Sequence, residues 1–435
     1  MLSRKNLLLL CGCFLLTSQT ALGASIQEFL PGLLESHERI KAAKEKTRSA
    51  EYLVRQHRAG YLPTVDFLSE TGYEDIQKDN GPDTDYGDKT YNRLRAAQLL
   101  WDFGATSGLV DKTENFLQQV TFEEADTRQK VLLEGILACV DVIRERDRLS
   151  YAQRSEDNIK KQTGIEETLV ERGAGIRSDV LQAKSQLAGA MALRTEIQGE
   201  LEIAKNRFLT VFARAIQEDE IKSLELTARY RKLVPASLDE SISLALQTNP
   251  ALKAKALDRT IADHEIAARK AAYYPRLELV GQGKYRYNDD GLPGERTDAF
   301  LGLGVTYNLY RGGGDRAAVE AAVAERSSFG QEFEEKKNLI VEQVRNSWQT
   351  LATAEAKQEI LSNQAMIAVR FLELARKERE MGNRTLLEVL SAEVEYYRAM
   401  SNAVAAQAEA NGAIFYLLKA IGILELDMLA QGNPS

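Results

Sequence analysis

The sequence has few of the residues that build metal, thiol and redox centres. Its 435 residues include only 3 His and 3 Cys. His37, His57 and His264 lie far apart without the spacing of metal ligands, and Cys11 and Cys13 fall in the first fifteen residues. No nucleophile and base stand at a usable spacing either. We therefore expect no metal, no cofactor and no enzymatic activity.

Basic side chains and long apolar runs are also scarce. Lys and Arg number 56 against 64 Asp and Glu, which gives a net charge of -8. Nucleic acid is excluded as a partner because phosphate binding needs a basic face. After the N-terminal segment no stretch reaches the ~18 consecutive apolar residues of a membrane-spanning helix. The amino-acid composition and charge alone are typical of a polar, helix-rich chain.

The first 23 residues have the pattern of a secretory signal. Arg4 and Lys5 precede an apolar run of about ten residues, and small residues follow at Ala21 and Gly23. We expect cleavage after Gly23, so residues 1–23 are predicted to be a signal peptide. The alternative is a lipoprotein signal acylated at Cys11. Either reading sends the chain beyond the inner membrane.

The remaining chain contains two halves with similar sequence landmarks. The sequence LWDFGA at residues 100–105 has a counterpart in LYRGGG at 309–314, and ERG at 171–173 has one in EMG at 380–382. The two members of each pair are 209 residues apart, and YLP at 61–63 matches YYP at 273–275, 212 residues further along. Landmarks in the same order at near-constant spacing indicate an internal duplication.

Each repeat is predicted to contain a helix, a β-hairpin, a long helix and a return helix. The absence of Pro after the glycines, together with diluted apolar positions at helical spacing, favours long coiled-coil-like helices. The predicted units are a first repeat at 24–213 (hairpin 62–103, helices 105–172 and 178–212), a linker at 214–249, a second repeat at 250–421 (hairpin 276–310, helices 315–381 and 386–419) and a tail at 422–435.

The hairpins alternate with a period of two. In the second, the turn is expected at residues 288–294 and the return strand is expected to continue to Leu309. The pattern fits a strand between lipid and water, and equally a half-buried hairpin of a soluble protein. Because four strands cannot close a barrel in lipid, a membrane role requires several copies: two would give eight strands and three would give twelve.

The duplicated plan, the LWDFG hinge and the tip sequences RSDVLQA (177–183) and GNRTLLEVL (382–390) resemble the TolC outer-membrane efflux family. The resemblance implies a mostly α fold: a homotrimer with a long α-helical barrel and four strands per protomer in a shared 12-stranded β-barrel. It implies a channel in the outer membrane with a long periplasmic extension. It also implies two partners, a periplasmic adaptor and an inner-membrane ABC or proton-driven transporter.

The resemblance also assigns residues at the periplasmic tip. Asp179 and Arg384 match a pair that holds the closed tip, and Glu388 matches a constriction carboxylate, with Ser391 and Arg379 departing from the family pattern. The alternative is that Asp179 and Glu388 simply stabilise helix starts. The turns expected to dock the adaptor contain the following residues: Gly173, Ala174, Gly175, Gly382, Asn383 and Thr385.

Two further groups lie where strands meet helices. Gly104, Gly312 and Gly313 are interpreted as strand-to-helix hinges, because an anion-binding P-loop would need a GxxxxGK[ST] order that is missing. Trp101 and Tyr310, at equivalent hinges, are candidates for aromatic residues at the lipid–water interface, with core packing as the alternative.

The sequence is therefore compatible with three functions. The first is the duct of a tripartite type I secretion system, with a proton-driven multidrug efflux pump as the alternative within the same class. The second is a soluble periplasmic coiled-coil scaffold or adaptor. The third, a secreted enzyme, is weakest for lack of a catalytic constellation. Protein export is slightly favoured over efflux of small molecules.

Overall fold

Two helical hairpins of the same size make up most of the fold in a computed structural model of the chain. The structure describes residues 26–76, 84–85, 88–226 and 230–431. The predicted signal peptide at 1–23 lies outside these residues. The first half contains these elements: α1 (Ile26–Ser36), α2 (Glu38–Arg58), β1 (Thr64–Gly72), β2 (Asp75–Ile76), β3 (Thr84–Asp85), β4 (Lys89–Trp101), α3 (Ala105–Glu171) and α4 (Arg177–Phe212). Helices α3 and α4 form the first hairpin.

The second half repeats this order after a connecting segment that contains α5 (Glu218–Ser223) and α6 (Leu238–Thr248). It contains α7 (Pro250–Lys270), β5 (Arg276–Asp289), β6 (Leu292–Thr306), α8 (Gly314–Glu380), α9 (Leu386–Ile421) and the short α10 (Leu426–Gln431). Helices α3 and α8 are 67 residues each, so each is ~100 Å long. Most of the turn predicted between β1 and β4, and residues 432–435 of the tail, lie outside the described residues.

The first helical stretch is not continuous as the sequence suggested. It breaks at His37, whose backbone is extended and whose Nδ1 accepts a hydrogen bond from the Arg39 backbone N–H at 3.2 Å. The break lets α1 turn its apolar residues Phe29, Leu30 and Leu33 into the core, whereas α2 is largely polar. His37 is thus a helix cap.

The four long strands form one antiparallel sheet in the order β1-β4-β5-β6. The chain therefore has the predicted fold class, mostly helical with a four-stranded sheet. The return strand ends at Thr306, not at Leu309, because its partner strand begins at Arg276 and Pro275 has no N–H for a further ladder bond. The turn is also tighter than expected, since β5 and β6 are joined by Asp290 and Gly291 alone.

The main hydrophobic core lies midway along the helices, far from the sheet and from the helical tips. There α1, the middle of α3, the ends of α4 and α9 and the connecting segment meet. Phe208 and Phe415 are its largest fully buried side chains, and Phe29 packs edge-to-face on Phe208 with ring centroids 5.9 Å apart. This core fixes both hairpins and leaves the sheet and the tips at opposite ends.

Candidate functional site

The strand register gathers most of the large apolar side chains of the four strands on one face of the sheet. Phe67 stands opposite Leu94, Leu279 opposite Leu303, and Leu277 opposite Val305. These side chains are open to the surroundings: Phe67, Leu303 and Val305 are 70%, 64% and 66% exposed. A contiguous exposed apolar face of this size marks a surface that contacts lipid or another protein.

The opposite face of the same sheet is polar. It carries the alternate residues of each strand, which are charged or amide-bearing at most positions: Asp66, Glu70, Lys89, Arg93, Arg95, Arg276, Glu278, Gln282, Lys284, Arg286, Arg296 and Asp298. Alternation of apolar and polar faces is the pattern of a strand between lipid and a water-filled lumen.

A β-bulge places Trp101 on the apolar face. The register between β4 and β5 shifts between Leu99 and Trp101, so Trp101 stands opposite Leu277. Without this extra residue Trp101 would point to the polar face, because alternate residues point to opposite faces. Trp101 packs edge-to-face on Phe103, and Phe103 stacks on Tyr274 at 4.8 Å between centroids. Tyr310, at the equivalent end of the second hairpin, is 82% exposed.

The sheet has two open edges in one copy of the chain. Among the described residues, β1 pairs only with β4 and β6 pairs only with β5. Each edge therefore presents a row of backbone N–H and C=O groups able to pair with another strand.

The strand-to-helix hinge is stabilised by a side chain that the sequence analysis missed. Phe103 and Gly104 both have left-handed backbone conformations, with φ of 53° and 97°. Asp102 bridges the turn, because its carboxylate accepts hydrogen bonds from the Thr106 N–H at 2.8 Å and hydroxyl at 2.5 Å. The Asp-x-x-x-Thr spacing was the available signal. In the second hinge Gly312 and Gly313 also have positive φ, of 60° and 81°.

We expect Asp102→Ala to destabilise the start of α3 by about 1–2 kcal/mol, because the Gly104 N–H and both Thr106 donors lose their acceptor. Thermal unfolding of the detergent-solubilised protein, followed by helical circular dichroism, measures the loss. Asn308→Ala is the matched control, since Asn308 Oδ1 accepts only the Tyr310 N–H at 3.2 Å in the second hinge. Equal losses in the two variants would contradict the capping role.

The two helical tips share one turn geometry. At the first, the Gly173 N–H donates to the Val170 carbonyl at 3.0 Å and the Ala174 N–H donates to the Leu169 carbonyl at 2.9 Å. The second tip repeats this with Gly382 and Asn383 donating to Arg379 and Glu378 at 2.8 and 2.9 Å. This is a Schellman motif, which requires the positive φ of Gly173 and Gly382.

Close packing explains the second glycine of the first tip. A Cβ added at Gly175 would lie 2.9 Å from the Val170 backbone nitrogen, so the turn leaves no room for a side chain there. The following helix, α4, begins at Arg177. The remaining tip residue, Thr385, begins the return helix of the second hairpin.

Glu388 closes a capping box at the start of α9. Its carboxylate accepts from the Thr385 N–H at 2.9 Å, while the Thr385 hydroxyl oxygen accepts from the Glu388 N–H at 3.3 Å. The Thr385 backbone and hydroxyl donors, with a smaller contribution from Arg384, hold the pKa of Glu388 below its usual range. Glu388 is exposed and charged at neutral pH, so the helix-start interpretation holds, and the carboxylate remains available to a pore.

Arg384 does not pair with Asp179 within one chain. Its Nε lies 2.8 Å from the Glu378 carboxylate, and its guanidinium lies over the Phe371 ring at 5.1 Å. Asp179, in the first turn of α4, accepts a hydrogen bond from the Ser178 hydroxyl at 3.2 Å. Within one protomer each of the two residues has a nearer neighbour on its own hairpin, so the expected pair is not an intrachain contact.

A different ion pair joins the two hairpins near the tip. Arg379 Nη2, on α8, lies 2.6 Å from Glu166 Oε1, on α3, and Glu166 is buried. Arg379 is one of the two residues that depart from the family pattern, but no sequence pattern indicated its pairing with Glu166, far away in the chain.

A second buried carboxylate lies on the return helix. Glu393 is 1% exposed and pairs with Arg376 at 2.9 Å. Burial raises the pKa of Glu393, while the charge of Arg376 opposes the rise. The sequence analysis did not single out this pair either, because a Glu on a helix usually faces solvent.

Two features that other functions would require are not found in the described residues. No helix of the described residues has the length and hydropathy that crossing a membrane would require. Within the same residues no cluster of three or more His, Cys, Asp or Glu has a metal-binding arrangement.

Comparison with known proteins identifies the class. The chain matches the sequence profile of the family described as Outer membrane efflux protein twice, over residues 30–212 and 241–422. It is 22% identical over 428 residues to the outer membrane efflux protein BepC of Brucella suis, covering 96% of this chain and 91% of BepC. It is 23% identical over 415 residues to the alkaline protease secretion protein AprF of Pseudomonas aeruginosa, covering 92% and 85%.

Solved structures show the same fold. The CmeC outer membrane channel of Campylobacter jejuni superposes with a TM-score of 0.77 at 13% identity, over 93% of this chain and 88% of CmeC. The outer membrane protein VceC of Vibrio cholerae gives 0.76 at 17% identity, over 91% and 96%.

These matches confirm the predicted resemblance, the outer-membrane location and the role as an efflux or secretion channel rather than an enzyme. A soluble scaffold and a secreted enzyme are thereby excluded. The chain belongs to the outer membrane efflux protein family.

Proposed function

We propose that three copies of this chain form one duct that carries cargo across the periplasm and the outer membrane. The observation that carries the proposal is the sheet, which has an exposed apolar face, a polar face and two open edges. Open edges are not tolerated in lipid, so β1 of one copy must pair with β6 of the next. Three copies supply twelve strands and two supply eight, both within the range of bacterial barrels.

The apolar band has the height of a membrane. On β5 it extends from Leu277 to the tyrosines Tyr285 and Tyr287, and Trp101 marks its lower end. Ten steps of ~3.3 Å, tilted by ~40°, give a height of roughly 25 Å, the apolar thickness of an outer-membrane barrel. Trp101 and Tyr310 are then interfacial aromatic residues on the periplasmic side.

The helical tips supply the periplasmic end of the duct. The turns at Gly173–Ala174–Gly175 and Gly382–Asn383, with Thr385, would dock a periplasmic adaptor, which in turn binds an inner-membrane transporter. In a trimer Asp179 of one copy and Arg384 of the next are available for a contact that one chain does not make. Three Glu388 carboxylates around the axis would narrow the pore and attract cations.

Two versions of this proposal differ in the cargo that the duct carries. AprF and PrtF are named as protease secretion proteins, whereas BepC is named as an efflux protein. We favour protein export with an ABC transporter over a proton-driven multidrug pump. A deletion strain that loses secreted proteins but keeps its resistance to antibiotics would support this choice, and the reverse would overturn it.

The copy number is tested by native mass spectrometry of the protein extracted from outer membranes in detergent. We expect three chains of the mature mass, and a species that converts to single chains on boiling. A two-chain or one-chain particle, or recovery in the soluble periplasmic fraction, would overturn the proposed trimer.

We expect Glu388→Ala to weaken block of the channel by divalent and trivalent cations, because the ring loses its three carboxylates. Planar-bilayer conductance with cations added on the tip side measures the half-blocking concentration. Glu380→Ala, which removes an exposed acid at the end of α8 on the same tip, is the matched control. Equal sensitivity in the Glu388→Ala variant and the parent would remove Glu388 from the pore.

A further inference from the structure

The polar face of the sheet is basic, although the chain as a whole is acidic. Basic side chains outnumber acidic ones there, with Lys89, Arg93, Arg95, Arg276, Lys284, Arg286 and Arg296 against Asp66, Glu70, Glu278 and Asp298 on the strands and Glu74 and Asp289 beside Lys89. The chain overall has 64 acidic and 56 basic side chains, so the basic excess is local to this face. If the sheet forms a barrel as proposed above, this face lines the lumen.

Part of this charge is neutralised in the fold. The Glu278 carboxylate forms ion pairs with Arg276 at 2.8 Å and with Arg95 at 3.5 Å. The Lys89 ammonium forms ion pairs with Glu74 at 2.5 Å and with Asp289 at 2.9 Å. These pairs lie near the two ends of the strands.

Between the middle of the strands and the β5–β6 turn the arrangement is different. Arg93 stands directly opposite Lys284, which has Asp298 opposite it on the other side. Nearer the turn, Arg286 stands directly opposite Arg296. Like charges opposite each other destabilise a sheet unless something else compensates them. Among the residues that the structure describes, neither Arg93 nor Lys284 makes an ion pair or a side-chain hydrogen bond.

A third observation points to a missing acceptor. Arg286 pairs with Asp298 through its Nη2, but its Nε–H is buried and has no hydrogen-bond acceptor in the described residues. Arg296 Nη2 donates to the Asp289 backbone carbonyl at 2.9 Å, which leaves its charge without a carboxylate. Among the described residues, one carboxylate, that of Asp298, pairs directly with a member of this cluster of four cations: Arg93, Lys284, Arg286 and Arg296. The Asp289 carboxylate pairs with Lys89 and acts on Arg286 only at longer range.

We propose that this four-residue lumen cluster binds multivalent anions, and that its occupants in the cell are acidic segments of cargo leaving the barrel. The proposal rests on the proposed trimeric barrel, which would set three clusters around one lumen. Carboxylates satisfy both the unpaired charges and the free N–H donor, and guanidinium groups bind them in bidentate geometry. A basic exit above an acidic tip would draw acidic segments outward after they have passed the tip.

The test is side-specific block of the channel in planar bilayers. Two probes are used, inorganic tripolyphosphate and a ten-residue polyglutamate peptide, each added first on the barrel side and then on the tip side. We expect both to block at lower concentration from the barrel side, and high salt to weaken the block, because exposed charges are screened.

The double variant Arg93→Gln/Lys284→Gln should raise the half-blocking concentration of both probes about tenfold, since a trimer loses six charges. Lys222→Gln/Lys232→Gln removes the same number of charges from the exposed connecting segment and should leave block unchanged. Removing like charges that face each other does not endanger the sheet, and heat-modifiable mobility on gels verifies the barrel.

Different outcomes would overturn the proposed barrel and the proposed anion-binding cluster. A protein that forms no channel would overturn the proposed function itself. Channels whose block is unchanged in the double variant, or equal from both sides, would overturn the cluster. Block by tripolyphosphate but not by the peptide would show that the cluster binds small anions, and would overturn its role in cargo passage.

Discussion

Leu301→Arg is expected to abolish assembly in the outer membrane. Leu301 is 76% exposed, lies on the apolar face opposite Gly281, and stands midway between the two ends of the apolar band. An Arg at the middle of a lipid-facing barrel surface costs about 2–4 kcal/mol per copy, and a trimer would carry three. The measurement is the amount of heat-modifiable oligomer recovered from the outer-membrane fraction.

The neighbouring residue provides a sharp control. Phe300 is also large, apolar and half exposed, but it belongs to the polar face, opposite Gln282. Phe300→Arg should assemble nearly as well as the parent, with a small loss because the ring covers Gly302. A soluble hairpin would tolerate both variants about equally. Equal recovery of the two variants would therefore contradict a lipid-facing role for this surface.

The long helices and the hairpins could be predicted from sequence because their signals are local. Helix α3 was predicted from 105 to 172 and extends from Ala105 to Glu171, and α8 was predicted from 315 to 381 and extends from Gly314 to Glu380. The absence of Pro and the flanking glycines define such segments without any knowledge of their partners. The period-two pattern of β5 and β6 likewise placed Leu303 and Val305 on one face.

Other features depend on packing and could not be predicted. The run Leu99-Leu100-Trp101 has no alternation, so nothing in it announces the bulge that turns Trp101 outward. The end of β6 at Thr306 depends on Pro275 in the neighbouring strand. His37 looked like any polar helical residue, because the break there follows from where α1 finds the core.

The tip was the least predictable part of the site. Matching positions to a family pattern directed attention to Asp179 and Arg384, and within one chain these residues find other partners. Glu166 and Arg379 are brought together only because α3 and α8 converge near the tip. Their contact joins residues from opposite halves of the sequence, and no periodicity in either half carries that information.

We expect variants of Glu166 and Arg379 to open the periplasmic tip. Their ion pair is the described side-chain link between α3 and α8 near the tip, with 2.6 Å between Arg379 Nη2 and Glu166 Oε1. Because Arg379 is partly exposed, the pair contributes less than a fully buried one, about 1–2 kcal/mol. Loss of that amount would raise the population of any open state about five- to thirtyfold.

Glu166→Gln and Arg379→Ala should each raise single-channel conductance in bilayers and sensitivity of cells to a large antibiotic such as vancomycin. Their double variant should open no further than either single variant, because both remove one interaction. Lys357→Ala is the matched control: its 2.6 Å pair with Glu409 joins α8 to α9 inside one hairpin. If Lys357→Ala opened the channel as much, general loosening of the helices, and not the link between hairpins, would control the tip.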